Sequence, residues 1–148
     1  MTSTVQSSRW FWLAVALLCG LPSFVVAEPT SQHQLQALAG QGDANAQWML
    51  GQALLTGDLG TTDDAEAVQW LQRAADQGHG LAQRDLGWLY ELGRGVDQDA
   101  LEAFFWYSLA SRQDSGRARL RRDALAATLT AEQQEAVLAR LRGWRPRK

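Results

Sequence analysis

The side chains best suited to acid, base or nucleophilic chemistry in this 148-residue chain are two histidines, one cysteine and two clusters of carboxylates. A hydroxyl nucleophile needs a base, and the base needs a carboxylate to hold it. His33 and His79 are the only imidazoles, one at the edge of an N-terminal cap and the other in a turn between units, and both read as surface residues. Asp63, Asp64 and Glu66, and again Asp97 and Asp99, lie close enough in sequence to work as paired acids and bases. Helix starts favour the same residues without any catalysis, because unpaired backbone N–H groups and the helix dipole attract negative charge there. No spacing among these acids matches a calcium loop or a zinc site, so no metal and no cofactor is expected. Gly93-Arg94-Gly95 is the nearest approach to a phosphate cradle, but it lacks a lysine and a preceding strand and reads as a turn. The chain is therefore expected not to be an enzyme.

The start of the chain has a different logic. Arg9 precedes an apolar run from Trp10 to Leu21, Pro22 and Ser23 break it, and Val25-Val26-Ala27 offers a peptidase the side chains it needs. Residues 1–27 are accordingly expected to be a signal peptide cleaved after Ala27. The run is short of the roughly 20 apolar residues that span a bilayer, which makes a retained inner-membrane anchor the lesser alternative. Cys19 leaves with the leader, so the exported chain has no thiol for catalysis, metal or disulfide and must close on packing alone.

The elements that hold the remaining residues follow from a 36-residue offset. Ala46-Gln47-Trp48-Met49-Leu50-Gly51 returns as Ala82-Gln83-Arg84-Asp85-Leu86-Gly87, and Gly57, Asp63, Ala67, Trp70 and Ala74 return as Gly93, Asp99, Ala103, Trp106 and Ala110. Such a period means stacked copies of one supersecondary unit. Apolar residues recur at three- and four-residue steps, and Asp63 with Glu66 and Asp99 with Glu102 read as helix N-caps with their N3 carboxylates. Each unit is a helix, a turn and a helix: 45–56 with 64–77, then 80–92 with 100–112. The expected fold is all-α, a short right-handed α-α solenoid of about seven helices. Its domain runs over 28–143, with a half-repeat cap at 31–42, repeats at about 46–81 and 82–117, capping helices at 118–142 and a basic tail at 144–148. Leu50, Trp70, Leu71, Ala74, Leu86, Tyr90, Trp106 and Ala110 are expected in the core, with Trp70 or Trp106 covering the mid-helix glycines Gly51 and Gly87.

The run from Ala82 to Asp99, continued by Glu102-Ala103-Phe104-Phe105-Trp106-Tyr107, resembles the Sel1-like repeat, a relative of the tetratricopeptide repeat. It carries the leucine-glycine pair, the tyrosine, Gly-x-Gly-Val-x-x-Asp and alanine-x-x-tryptophan at that family's spacing. The first copy departs from it, with Leu54 for the tyrosine and Leu59-Gly60-Thr61 across the turn, which predicts a shifted loop. The resemblance implies a scaffold or adaptor that binds another protein, here in a bacterial periplasm. Two further roles that it implies are an immunity protein that inhibits a toxic effector, and an enzyme or binding protein of the envelope or peptidoglycan. Relatives acting on penicillin-like substrates use paired cysteines that this exported chain lacks.

Two surfaces are candidates for binding. Side chains of the first helices that the Ala-x-x-x-Leu-Gly packing pattern does not consume, namely Trp48, Met49, Gln52, Arg84, Asp85, Trp88 and Leu89, form the expected protein-binding face. Charge supplies the second. Residues 28–116 hold 13 acidic and 4 basic side chains, whereas 117–148 hold 3 and 9. The cluster Arg140, Arg142, Trp144, Arg145, Arg147 and Lys148 is expected to meet an anionic membrane or cell-wall surface, or the acidic front of another copy. Nucleic acid is not an expected partner of an exported chain, and the oligomeric state is left open.

Overall fold

The computed structural model describes residues 32–113 and 116–147; the expected leader, the start of the cap at Ser31, and Lys148 lie outside them. Seven α-helices occupy the described residues: α1 (Gln32–Gly40), α2 (Ala44–Thr56), α3 (Asp64–Asp76), α4 (Gly80–Leu92), α5 (Ala100–Ala110), α6 (Gly116–Ala126) and α7 (Ala131–Gly143). A 3-10 turn, Ser111–Gln113, follows α5. Each helix from α1 to α5 packs on the next, and α7 returns to pack on α5. The result is an all-α solenoid.

Local chemistry sets the boundaries. Asp43, Asp63 and Asp99 cap α2, α3 and α5 by accepting backbone N–H bonds from Ala46 (2.7 Å), Glu66 (2.8 Å) and Leu101 and Glu102 (2.8 and 3.0 Å). The N3 carboxylates do not complete these caps. Glu66 instead accepts from the Trp70 indole at 3.1 Å, and Glu102 pairs with Arg140. A reciprocal capping box forms at α7, between Thr130 and Gln133.

The two inter-helix loops differ inside but end alike. The second has left-handed residues at Gly93 and Gly95, the first at Gly57 and Gly60, one position late relative to the 36-residue offset. Asp63 N–H then bonds Leu54 O at 3.1 Å, and Asp99 N–H bonds Tyr90 O at 3.0 Å, so the shift is absorbed before the next helix starts. Gly95 is demanded twice over. Its φ is +70°, and a Cβ there would run into the backbone carbonyl of Asp64.

The core is built from equivalent positions: Ala46, Ala82 and Ala118; Leu50 and Leu86; Ala67 and Ala103; Leu71 and Tyr107; Ala74 and Ala110. Ala118 extends the register to a third first helix, α6. The mid-helix glycines are covered by a neighbour of the expected tryptophan: a Cβ on Gly51 would lie 2.7 Å from Leu71 Cγ, and one on Gly87 2.9 Å from the Tyr107 ring. Small residues there let paired helices approach. Two expected core residues are only half-buried, Trp70 and Tyr90. Trp70 faces outward beneath Arg73, whose guanidinium lies 4.4 Å from the ring, because the helices packed on α3 are its sequence neighbours α2 and α4. Its equivalent Trp106 is buried because α7 lies against α5. With α4, α6 and α7 all packed on α5, every residue from Ala103 to Ala110 is buried.

Candidate protein-binding face

The first helices α2, α4 and α6 are linked side by side through their side chains. Asp85 on α4 is the organiser. Its Oδ2 accepts from the Trp48 indole at 2.8 Å and from Gln52 Nε2 at 2.6 Å, both on α2. Its Oδ1 accepts from Arg84 Nε at 2.8 Å and Nη2 at 2.6 Å. Four donors saturate a carboxylate that is 8% exposed, as a nearly buried charge requires. The expected face residues Trp48, Gln52, Arg84 and Asp85 therefore form one network across a repeat boundary.

Met49 stands beside them 42% exposed, and Trp88 is half-buried with the Arg94 guanidinium 5.7 Å from its ring. Leu89 is a correction, since it is fully buried. It follows Leu86 by three residues and Ala82 by seven, which places it on the inward stripe of α4 and withholds it from any partner.

Several residues that tie the face together were not singled out from the sequence. Gln47 Nε2 bonds Ala39 O and Gln83 Nε2 bonds Ala75 O, each at 3.1 Å. Gln77 Nε2 reaches Gln47 Oε1 (2.8 Å) and Gly42 O (3.0 Å), and Gln113 Nε2 reaches Gln83 Oε1 (3.3 Å) and Gly78 O (2.8 Å). This glutamine ladder repeats at the 36-residue offset, which was the signal available for it. Arg94, in the second loop, reaches back to the first repeat with a bidentate bond to Asp64 (2.7 Å twice) and a bond to Leu55 O at 2.9 Å. That ion pair raises the Arg94 pKa further, so the latch stays charged.

His79 is a structural residue with a titratable site. Its Nδ1 accepts Ala82 N–H at 3.2 Å, capping α4, and its ring stacks on Trp48 with centroids 5.4 Å apart. Burial lowers its pKa below the ordinary 6.5, with Asp85 and then Asp43 pulling it partly back. His33 is exposed on α1. Among the described residues no three His, Cys, Asp or Glu side chains gather as a metal site would require, and no helix is long and apolar enough to cross a membrane.

The basic tail is anchored to the array. Arg147 N–H bonds Asp76 O at 2.8 Å and its guanidinium lies 3.2 Å from Asp76 Oδ2. Trp144 is half-buried against the core, and Pro146 sits over Gly78. Arg140 pairs with Glu102 and lies 3.7 Å from the Phe105 ring centroid, while Arg142 pairs with Glu135 at 2.8 Å. Arg145 donates to the carbonyls of Arg142 and Trp144. Three of the expected anion-binding cations thus already have carboxylate partners.

The Sel1 repeat family model matches residues 44–79 and 80–115. The chain is 43% identical over 56 residues to the chitin synthase regulator SKT5 of Saccharomyces cerevisiae, a stretch covering 38% of this chain and 8% of that protein. Among solved structures it is similar to a protective antigen of uropathogenic Escherichia coli strains displaying an SLR fold, at a TM-score of 0.70 and 32% identity over 76% of this chain and 24% of that one. It is also similar to a Sel1 repeat protein from Oxalobacter formigenes, at a TM-score of 0.54 and 34% identity over 58% and 35%. The chain thus spans about a third or less of the length of each of these relatives.

Proposed function

Since this chain is a Sel1-repeat protein, we propose that it is a non-catalytic recognition module that binds another protein along the face of α2, α4 and α6. The observation that carries the reading is the saturated Asp85 carboxylate, which holds Trp48, Gln52 and Arg84 in place across two repeats. A rigid aromatic surface loses little conformational freedom on binding, and tryptophans in such positions commonly dominate interface energy. The compartment in this proposal is the periplasm. Arg9, the Trp10 to Leu21 run and Val25-Val26-Ala27 support export. A role as scaffold or adaptor fits the face best. Immunity by blocking a toxic effector would use the same surface. The basic tail is a secondary contact in this reading, offering Arg145 and Lys148 to an anionic surface.

The test is affinity capture from the native envelope space with the parent and with a Trp48→Ala/Trp88→Ala variant whose circular dichroism matches the parent. Loss of one specific partner supports the face, and an unchanged set of captured proteins rejects it. Intact mass of the exported chain checks the compartment, a mass that includes residues 1–27 being the contrary result.

A further inference from the structure

We infer that the cavity between α4, α5 and α6 is a carboxylate-binding subsite of this face, taking an acidic side chain from an extended segment of the partner. The inference rests on the reading of the face above and adds the chemistry of what it recognises. The cavity measures about 420 Å³ and is lined by Arg84, Asp85, Trp88, Tyr107, Arg117 and Arg121. That volume lies within the ordinary range of ligand clefts, roughly 300–1,000 Å³.

Asp85 in the lining, and Glu91 bonded to the lining residues Tyr107 and Arg121, are already satisfied. Asp85 accepts four donors, and Glu91 accepts the Tyr107 hydroxyl at 2.8 Å on one oxygen and Arg121 Nη1 at 3.0 Å on the other. Tyr107 stays a neutral donor, since burial and then Glu91 raise its pKa. The guanidinium groups are not exhausted in the same way. Arg117 is exposed and makes no ion pair or hydrogen bond with any described side chain, Arg84 keeps Nη1 free, and Arg121 keeps Nε and Nη2. Each free guanidinium edge matches the two oxygens of a carboxylate. Trp88 and Tyr107 give the lining an aromatic part, and the cavity shares Arg84 and Asp85 with the network that ends at Trp48. A segment in which carboxylates alternate with apolar residues complements both features. A polyphosphate backbone would meet Asp85 and Glu91 along the same face and gain less.

The test uses the full chain and a fluorescently labelled decapeptide of alternating Glu and Leu, with its Gln and Leu counterpart, followed by anisotropy. The Glu peptide is expected to bind at least about tenfold more tightly than the Gln peptide, and Arg117→Glu to weaken it by at least about tenfold. Arg117→Glu should leave the melting temperature unchanged, because Arg117 has no ion-pair or hydrogen-bond partner among the described side chains. Arg119→Glu, an exposed charge reversal on the same helix and outside the cavity, should change affinity by less than about threefold. Equal binding of the two peptides, equal damage from Arg119→Glu, displacement by inorganic phosphate, or no binding up to about 1 mM peptide would each overturn the subsite. If the captured partner survives Arg117→Glu but is lost with Trp48→Ala/Trp88→Ala, the face stands and the acidic specificity fails. If neither change removes it, the face itself is wrong.

Discussion

Trp48 in the first repeat donates its indole N–H to Asp85 in the second at 2.8 Å, so a half-buried tryptophan of the face is positioned by a carboxylate that belongs to its neighbour. Removing that carboxylate orphans Trp48, Gln52 and Arg84 at once. Asp85→Ala is expected to lower stability by about 1–3 kcal/mol and to increase acrylamide quenching of tryptophan fluorescence. Arg84→Ala should change stability by less than about 1 kcal/mol, since Arg84 is partly solvated and the other donors remain. Chemical denaturation of the two variants checks the difference, and equal losses would remove Asp85 from its organising role.

Two glycines predict opposite outcomes to a third. Gly87→Ala places a methyl group 2.9 Å from the Tyr107 ring and should cost about 1–3 kcal/mol. Gly95→Ala should cost as much or more, because it combines a left-handed φ with a clash against Asp64 backbone. Gly116→Ala meets nothing within 4 Å and should be neutral or mildly stabilising. Thermal melts followed at 222 nm rank the three, and a Gly116 variant as damaged as Gly87→Ala would contradict the packing explanation.

His79 makes stability depend on pH. Its cap requires an unprotonated Nδ1, and burial has lowered its folded pKa below 6.5. The unfolded chain therefore binds the proton more readily than the folded one. The stabilisation is full above about pH 7, and is lost as pH falls from 6.5 through the lowered folded value. Melting temperatures should decline over this window in the parent and much less in His79→Asn, which keeps a capping oxygen and does not titrate. An identical decline in both proteins would assign the effect to other groups.

The tail is expected to be part of the folded unit. Deleting residues 144–148 removes the half-buried Trp144 and both contacts of Arg147 to Asp76, and should cost about 1–3 kcal/mol. Arg147→Ala alone retains the backbone bond and should cost under about 1 kcal/mol. An unchanged denaturation midpoint on deletion would mean that the tail does not hold its place in solution.

How far the sequence can be read depends on which interactions are local. The 36-residue offset, the capping aspartates and the Gly-x-Gly turn define helix number and order, because each arises within one unit. Contacts between units are harder to read. Leu89 lies between Trp88 and Tyr90 in sequence, and only its phase relative to Leu86 separates core from face. Trp70 and Trp106 occupy equivalent positions, yet their burial differs because α7 covers only the second. The Arg94 latch, the Asp85 network and the anchored tail join residues 30 to 71 positions apart, which no periodicity reports. The glutamine ladder was legible in principle, since Gln47, Gln77, Gln83 and Gln113 obey the offset themselves.

The central claim is that partners bind along α2, α4 and α6, and tryptophan footprinting in the presence of the captured partner tests it most directly. Trp48, Trp70, Trp88 and Trp144 are all partly accessible and report on different surfaces. Hydroxyl-radical labelling should fall at Trp48 and Trp88 when the partner binds and stay unchanged at Trp70 and Trp144. Protection of Trp70 or Trp144 with Trp48 and Trp88 still fully reactive would place the partner on the opposite side of the solenoid and contradict the account.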